Sequence, residues 1–311
     1  MKKLFLSFIL FFFLSAAFAC PICGCGVGGF YIGLLPTYQS QFIGVRYQYA
    51  HFETRLKNDP SQYSHDYYRT AELYGGITFG HANWQLLGFV PYHINYQNTD
   101  DGIVKNNGLG DISVLLNHKI LQTSHLNTKK HSLFKQELWV GAGLKVPTGK
   151  YKVNFADSTT TELDDLLGDV NSQMGTGSLD FILNAMYNVR INSFGINTTV
   201  NYKMNTDNNS SFRYGNRFSA NSFAYYQAKI NDAVYMAPNV GVLYEYTFPN
   251  HLQNSKVDQT GGYAALASAG VDVNLNKITV GTNIQLPFAQ YYSLGQTQYK
   301  ARGLVHVTYT F

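Results

Sequence analysis

Along this chain apolar and polar residues change places at every step, not every third or fourth. The stretch from Lys300 to Phe311 shows it most plainly. One parity holds Ala301, Gly303, Val305, Val307, Tyr309 and Phe311; the other holds Lys300, Arg302, Leu304, His306, Thr308 and Thr310. Side chains of a strand point alternately to its two faces, so a period of two predicts a strand. An apolar-aromatic face set against a mostly polar one, ending on phenylalanine, is how the closing strand of a membrane barrel reads, with lipid on one side and a wet lumen on the other. Taken alone, it also fits an edge strand of a soluble sheet.

The same alternation recurs upstream. Twelve segments are expected, near Gln41–Glu53, Asp66–Gly80, Asn83–Gln97, Leu109–Gln122, Ser132–Val146, Gly177–Arg190, Ser193–Asn205, Arg213–Ile230, Ala233–Phe248, Gly262–Leu275, Lys277–Tyr291 and Lys300–Phe311. The connections between them have a rhythm. The odd ones, such as Thr54–His65, Asn98–Gly108, Pro147–Thr176 and Pro249–Gly261, are long. The even ones, such as Gly80-His81-Ala82, Ile191-Asn192 and Asn231-Asp232, are short, with Thr123–His131 the exception, where a strand boundary is suspect. Barrels with periplasmic ends need this alternation of short turns and longer outside loops; a soluble sandwich does not. The fold class expected is all-β: a transmembrane, antiparallel up-and-down β-barrel of about 12 strands. Such strands exceed the nine to eleven residues that cross a bilayer, so their ends should project, with Trp84, Tyr96, Tyr246 and Tyr309 near the interfaces.

Composition supports this reading. Of 311 residues only 14% are charged, against about a quarter in soluble domains, while Tyr (24), Phe (21) and Gly (28) are abundant. The net charge of +4 is scattered, with no basic block to suggest nucleic acid.

The start of the chain reads as a signal peptide, residues 1–19. Lys2 and Lys3 precede the apolar run Leu4–Leu14, and Ala17-Phe18-Ala19 forms a cleavage site. Residues 20–40 form a Cys- and Gly-rich periplasmic segment, and the barrel takes 41–311. All three cysteines, Cys20, Cys23 and Cys25, fall in one C-x-x-C-x-C run. Three uses stay open: soft-metal binding, of Cu(I) or Zn, a disulfide with one thiol over, or lipid attachment at Cys20. Ala17 and the bulky Phe18 fit ordinary cleavage better than a lipoprotein signal.

The polar parity predicts what lines the lumen: Arg46, Glu72, Asp111, Lys135, Glu137, Lys145, Asp180, Lys203, Arg217, Lys229, Glu245, Asp272 and Arg302. Charges facing a barrel interior must be hydrated or paired, and this mixture of signs suits a salt-bridge lattice in a narrow or plugged lumen with weak ion selectivity. Lumen histidines such as His93 and His306 are expected to be structural. No catalytic spacing stands out, so an enzyme is not expected. The acidic stretch Asp157–Asp169 between the fifth and sixth strands reads as a solvated loop, or as a gate over the mouth.

Three mid-chain motifs occur in order: Gly108-Leu109-Gly110-Asp111-Ile112, then Gly143-Leu144-Lys145-Val146-Pro147-Thr148-Gly149-Lys150, then Gly175-Thr176-Gly177-Ser178-Leu179-Asp180. Together they resemble the outer-membrane transporter family named for the meta-pathway of phenol degradation, most clearly from Gly108 to Tyr187. The resemblance implies a porin-like barrel near catabolic or efflux functions. The expected function is an outer-membrane channel or transporter for a small solute, with hydrophobic or aromatic compounds among the candidates. The alternative is a non-conducting barrel whose cysteine segment binds a soft metal or a periplasmic partner. The expected partners are the lipid bilayer, the small-molecule solute and the outer-membrane assembly machinery.

Overall fold

The structure, a computed structural model, describes residues 41–311 apart from 58–60, 101, 128–131, 153–169 and 171. Twelve strands form the wall: β1 (Phe42–Arg55), β2 (Tyr63–Phe79), β3 (Trp84–Thr99), β4 (in two halves, Gly102–Leu109 and Ile112–Asn127), β5 (Ser132–Val146), β6 (Asp180–Ile191), β7 (Phe194–Met204), β8 (Arg217–Tyr226, resumed at Ala228–Lys229), β9 (Val234–Thr247), β10 (Gly262–Leu275), β11 (Ile278–Tyr292) and β12 (Thr297–Thr310). Each pairs antiparallel with the next, and β12 returns to pair with β1, with Val45 opposite Val307 and Phe42 opposite Thr310. The sheet is therefore closed and no strand row is left as a free edge around the ring.

The alternation sorts cleanly into two faces. In β1, Phe42, Gly44, Arg46, Gln48, Ala50, Phe52 and Thr54 are buried, while Ile43, Val45 and Tyr47 are exposed. The exposed apolar residues lie on the barrel's exterior; Val240 and Ile284 are each 61% exposed. A soluble barrel would bury such a band, and a bilayer covers it. Aromatic residues mark both borders. Phe79, Trp84, Phe194, Tyr226 and Tyr309 stand at one end, and Tyr202, Tyr246, Tyr263 and Tyr291 at the other. No described helix is long and apolar enough to cross a membrane.

Several expected boundaries move. β4 begins at Gly102, not Leu109, so only 100–101 separate it from β3. What reads as a loop is a hairpin extending the wall, its ladder running from Tyr92–Leu109 to Thr99–Gly102. β4 also continues to Asn127, which leaves only residues 128–131 between it and β5; the exception to the rhythm moves to the connection at 100–101. The two halves of β4 meet at a bulge. Phe89 faces Ser113 and Tyr92 faces Leu109, so three residues of β4 stand against two of β3. The longest connection, 147–179, and those at 205–216 and 248–261 share one end, the outer one by the usual plan of such barrels. At that end, Phe212–Arg213, His251–Leu252 and Ser255–Lys256 form a small separate sheet, and Val170, Phe212 and Tyr214 pack together beside it.

Candidate functional site

The three glycine-bearing motifs converge at the outer end of β4, β5 and β6. Asp111 sits in the β4 bulge, Lys145 one residue before the end of β5, and Asp180 at the start of β6. Their side chains turn inward. Lys145 Nζ lies 2.6 Å from Asp111 Oδ2 and 2.8 Å from Asp180 Oδ2, all three buried. Asp111 is the hub. Its Oδ1 accepts from the Gly149 backbone N–H at 2.9 Å; its Oδ2 accepts from the backbone N–H and hydroxyl of Thr176 at 2.8 and 2.9 Å. Ser178 Oγ donates to Asp180 Oδ1 at 2.8 Å, and Thr148 Oγ1 donates to the Gly110 carbonyl at 2.9 Å. One carboxylate thus ties both roots of the longest loop to the wall. The glycines permit it: a Cβ on Gly175 would lie 2.6 Å from Asp111 Oδ1 and from the Gly149 carbonyl oxygen, and one on Gly110 would lie 2.4 Å from His93 Nε2.

Other inward charges also pair, some between adjacent strands and some across intervening ones. Arg46 bonds Glu72 between β1 and β2. Arg302 grips both oxygens of Glu245 at 2.7 and 2.8 Å and stacks against Tyr299, whose ring lies 4.0 Å from that of Phe52. His306 Nε2 lies 2.7 Å from Asp272 Oδ1, and Asn239 donates to the other Asp272 oxygen at 3.1 Å. Paired and hydrogen-bonded, these groups avoid the cost of lone buried charges. Lys203 and Arg217 face each other in register on the inward faces of β7 and β8. Lys135 and Glu137 occupy the inward parity of β5, nearer its other end. Lys229 stands at the far end of β8. It lies beyond a break in β8 but keeps the inward parity, since Tyr225 faces Asn239 and Lys229 faces Tyr235 in one unshifted register; it stands exposed at the strand's end, bonded to Asp232 of the following turn at 2.6 Å.

Two apolar patches interrupt this polar interior, and a reading that takes polar parity as lumen parity misses both. One joins Phe42, Tyr74, Leu87, Phe89, Leu115 and Trp139 on β1 to β5, and extends to Ile182 and Met186 of β6. The other joins Phe52, Tyr68, Phe223, Leu266, Tyr292 and Tyr299. Their sequence signal was in view: Phe52, Phe89, Leu115 and Trp139 share parity with Gln48, Gln85, Asn117 and Lys145. Thr148, Thr176 and Ser178 were also missed as site residues, because a hydroxyl's partner depends on the fold.

The expected signal segment, residues 1–19, Cys20, Cys23 and Cys25, and the acidic stretch Asp157–Asp169 lie outside the described residues. Among the described residues, His51, Glu53 and His65 bring three ligand-type atoms within 4.8 Å of one another on the exterior. Lys300 already engages that carboxylate at 2.8 Å.

In overall fold the chain is similar to the COG4313 outer membrane channel from Pseudomonas putida F1, with 14% identity and a TM-score of 0.57 over 91% of this chain and 99% of that one. The beta domain of the Bordetella autotransporter BrkA follows at 8% identity and TM-score 0.46 (88% of this chain, 100% of that one), and the translocator domain of the autotransporter NalP from Neisseria meningitidis at 10% and 0.45 (90% and 91%). No family model matches the chain, and no curated protein matches it in sequence. At such identities the likeness is one of fold. With the closed sheet, the apolar exterior and the buried polar interior, it makes this chain a twelve-stranded β-barrel of the bacterial outer membrane.

Proposed function

We propose that the barrel is a channel for a small hydrophobic or aromatic solute. The observation that carries this reading is the inward face. Between paired charges it holds two aromatic-aliphatic patches, which water-filled passage of ions does not require. Burying one apolar side chain's worth of solute surface is favourable by about 1.5–3 kcal/mol, enough to hold a small aromatic briefly without trapping it. Most inward carboxylates have a basic partner, so the interior favours neither sign of ion strongly. The likeness in fold to the outer membrane channel from Pseudomonas putida supports the same reading, as does the resemblance of the three motifs to the phenol meta-pathway transporter family. On this reading the knot around Asp111 fixes the roots of the longest loop at the mouth.

The test is block of ionic current. Phenol added to single channels in a planar bilayer should interrupt the current. Replacing Phe52 and Phe223 together with Ser should shorten each interruption by about tenfold, equivalent to about 1.4 kcal/mol. Equal block by phenol and by a polar polyol of the same size would refute the proposal.

A further inference from the structure

On the exterior, above the apolar belt, the barrel is not symmetric. The outer ends of β5 to β11 point apolar or aromatic residues at the bilayer: Val146, Phe181, Tyr202, Phe218, Tyr246 and Tyr263. Those of β12 and β1 to β4 are different. There a cavity of about 610 Å³ opens on the outer surface, lined by Tyr49, Tyr67, Arg69, Ile94, Tyr96 and Lys105 among others. Tyr67 lies 6.4 Å from Tyr49 and 5.7 Å from Tyr96, ring to ring, so the three form a continuous aromatic wall. Ile94, 39% exposed, marks the top of the apolar belt at the groove's foot. Arg69 is exposed at one side, and Lys105 Nζ stands 5.8 Å over the Tyr96 ring at the other. Neither cation has a carboxylate within ion-pair distance among the described residues, whereas nearby Lys300 is neutralised by Glu53.

We infer that this groove binds the phosphorylated sugar headgroup of an outer-leaflet glycolipid. Bare cations at a bilayer border attract phosphate, and arginine's planar fork bonds it in pairs. Tyrosine rings are amphipathic and suit the level where sugar gives way to acyl chain. The ligand's three parts then match the groove's three parts in order. Phosphate lies by Arg69 and Lys105, sugar faces the tyrosines, and acyl chains run down past Ile94 along the belt. A tyrosine girdle alone anchors a barrel, as the opposite side shows; the two cations add recognition.

The experiment is native mass spectrometry of the refolded full chain in detergent, titrated with bisphosphorylated lipid A. One lipid should bind per barrel. Binding should weaken by about tenfold or more in the Arg69→Gln/Lys105→Gln double variant, and by a similar factor with lipid A stripped of its phosphates. Lys277→Gln, an exposed change at the opposite end of the barrel, should bind as the parent does. A heat-dependent gel shift establishes that each variant is folded. Millimolar inorganic phosphate should not displace the lipid, and phosphatidylglycerol should bind more weakly. Equal binding by the double variant, equal binding of dephosphorylated lipid A, displacement by free phosphate, or phosphatidylglycerol binding as tightly would each overturn the assignment.

Discussion

Lys145 is held between two buried aspartates, and it cannot be removed without leaving like charges facing each other. Lys145→Met should therefore cost about 3–5 kcal/mol, read from urea unfolding in micelles. Arg302 offers a sharper comparison. Arg302→Met alone should cost about 3–5 kcal/mol because Glu245 is left buried without its partner. The double change Arg302→Met/Glu245→Leu should recover at least half of that loss, since no lone charge remains. At this scale the sequence told which charges face inward, because parity alone decides it. Their pairings were not legible: Arg46 and Glu72 are 26 residues apart, and Arg302 and Glu245 are 57. Strand register brings the first pair together, and the curve of the wall brings the second together across β10 and β11. Lys229 keeps its parity even across a break in its strand, because the register with β9 is the same on both sides.

The elements were mostly legible where the alternation is long. The expected segments Ser132–Val146 and Gly262–Leu275 coincide with β5 and β10. The misreading of Asn98–Gly108 has a physical cause. That stretch is rich in Asn, Asp and Gly, which favour turns, yet its backbone completes a ladder with β3. Tertiary pairing overrode local preference. The same dependence on neighbours explains the glycines at the loop roots. Gly175→Ala would drive a methyl into Asp111 and Gly149, which the wall cannot easily yield, so it should destabilise by about 1–3 kcal/mol. Urea unfolding measures this, and proteolysis of the loop 147–179 at intact-barrel conditions should accelerate in parallel. Unchanged stability and cleavage would mean that the knot does not anchor the loop.

For the whole molecule, the apolar exterior band and the polar interior are two consequences of one alternation. What alternation cannot encode is the width left between the inward side chains, or the aromatic patches among the polar ones, because both depend on how twelve strands curve together. The central claim is that solute passes through this interior, and single-channel recording of the refolded barrel in a planar bilayer tests it most directly. The account predicts a steady, small conductance with weak discrimination between cations and anions, shown by a reversal potential near zero in a salt gradient. A folded barrel that never conducts, or one strongly selective for one sign of ion, would contradict it.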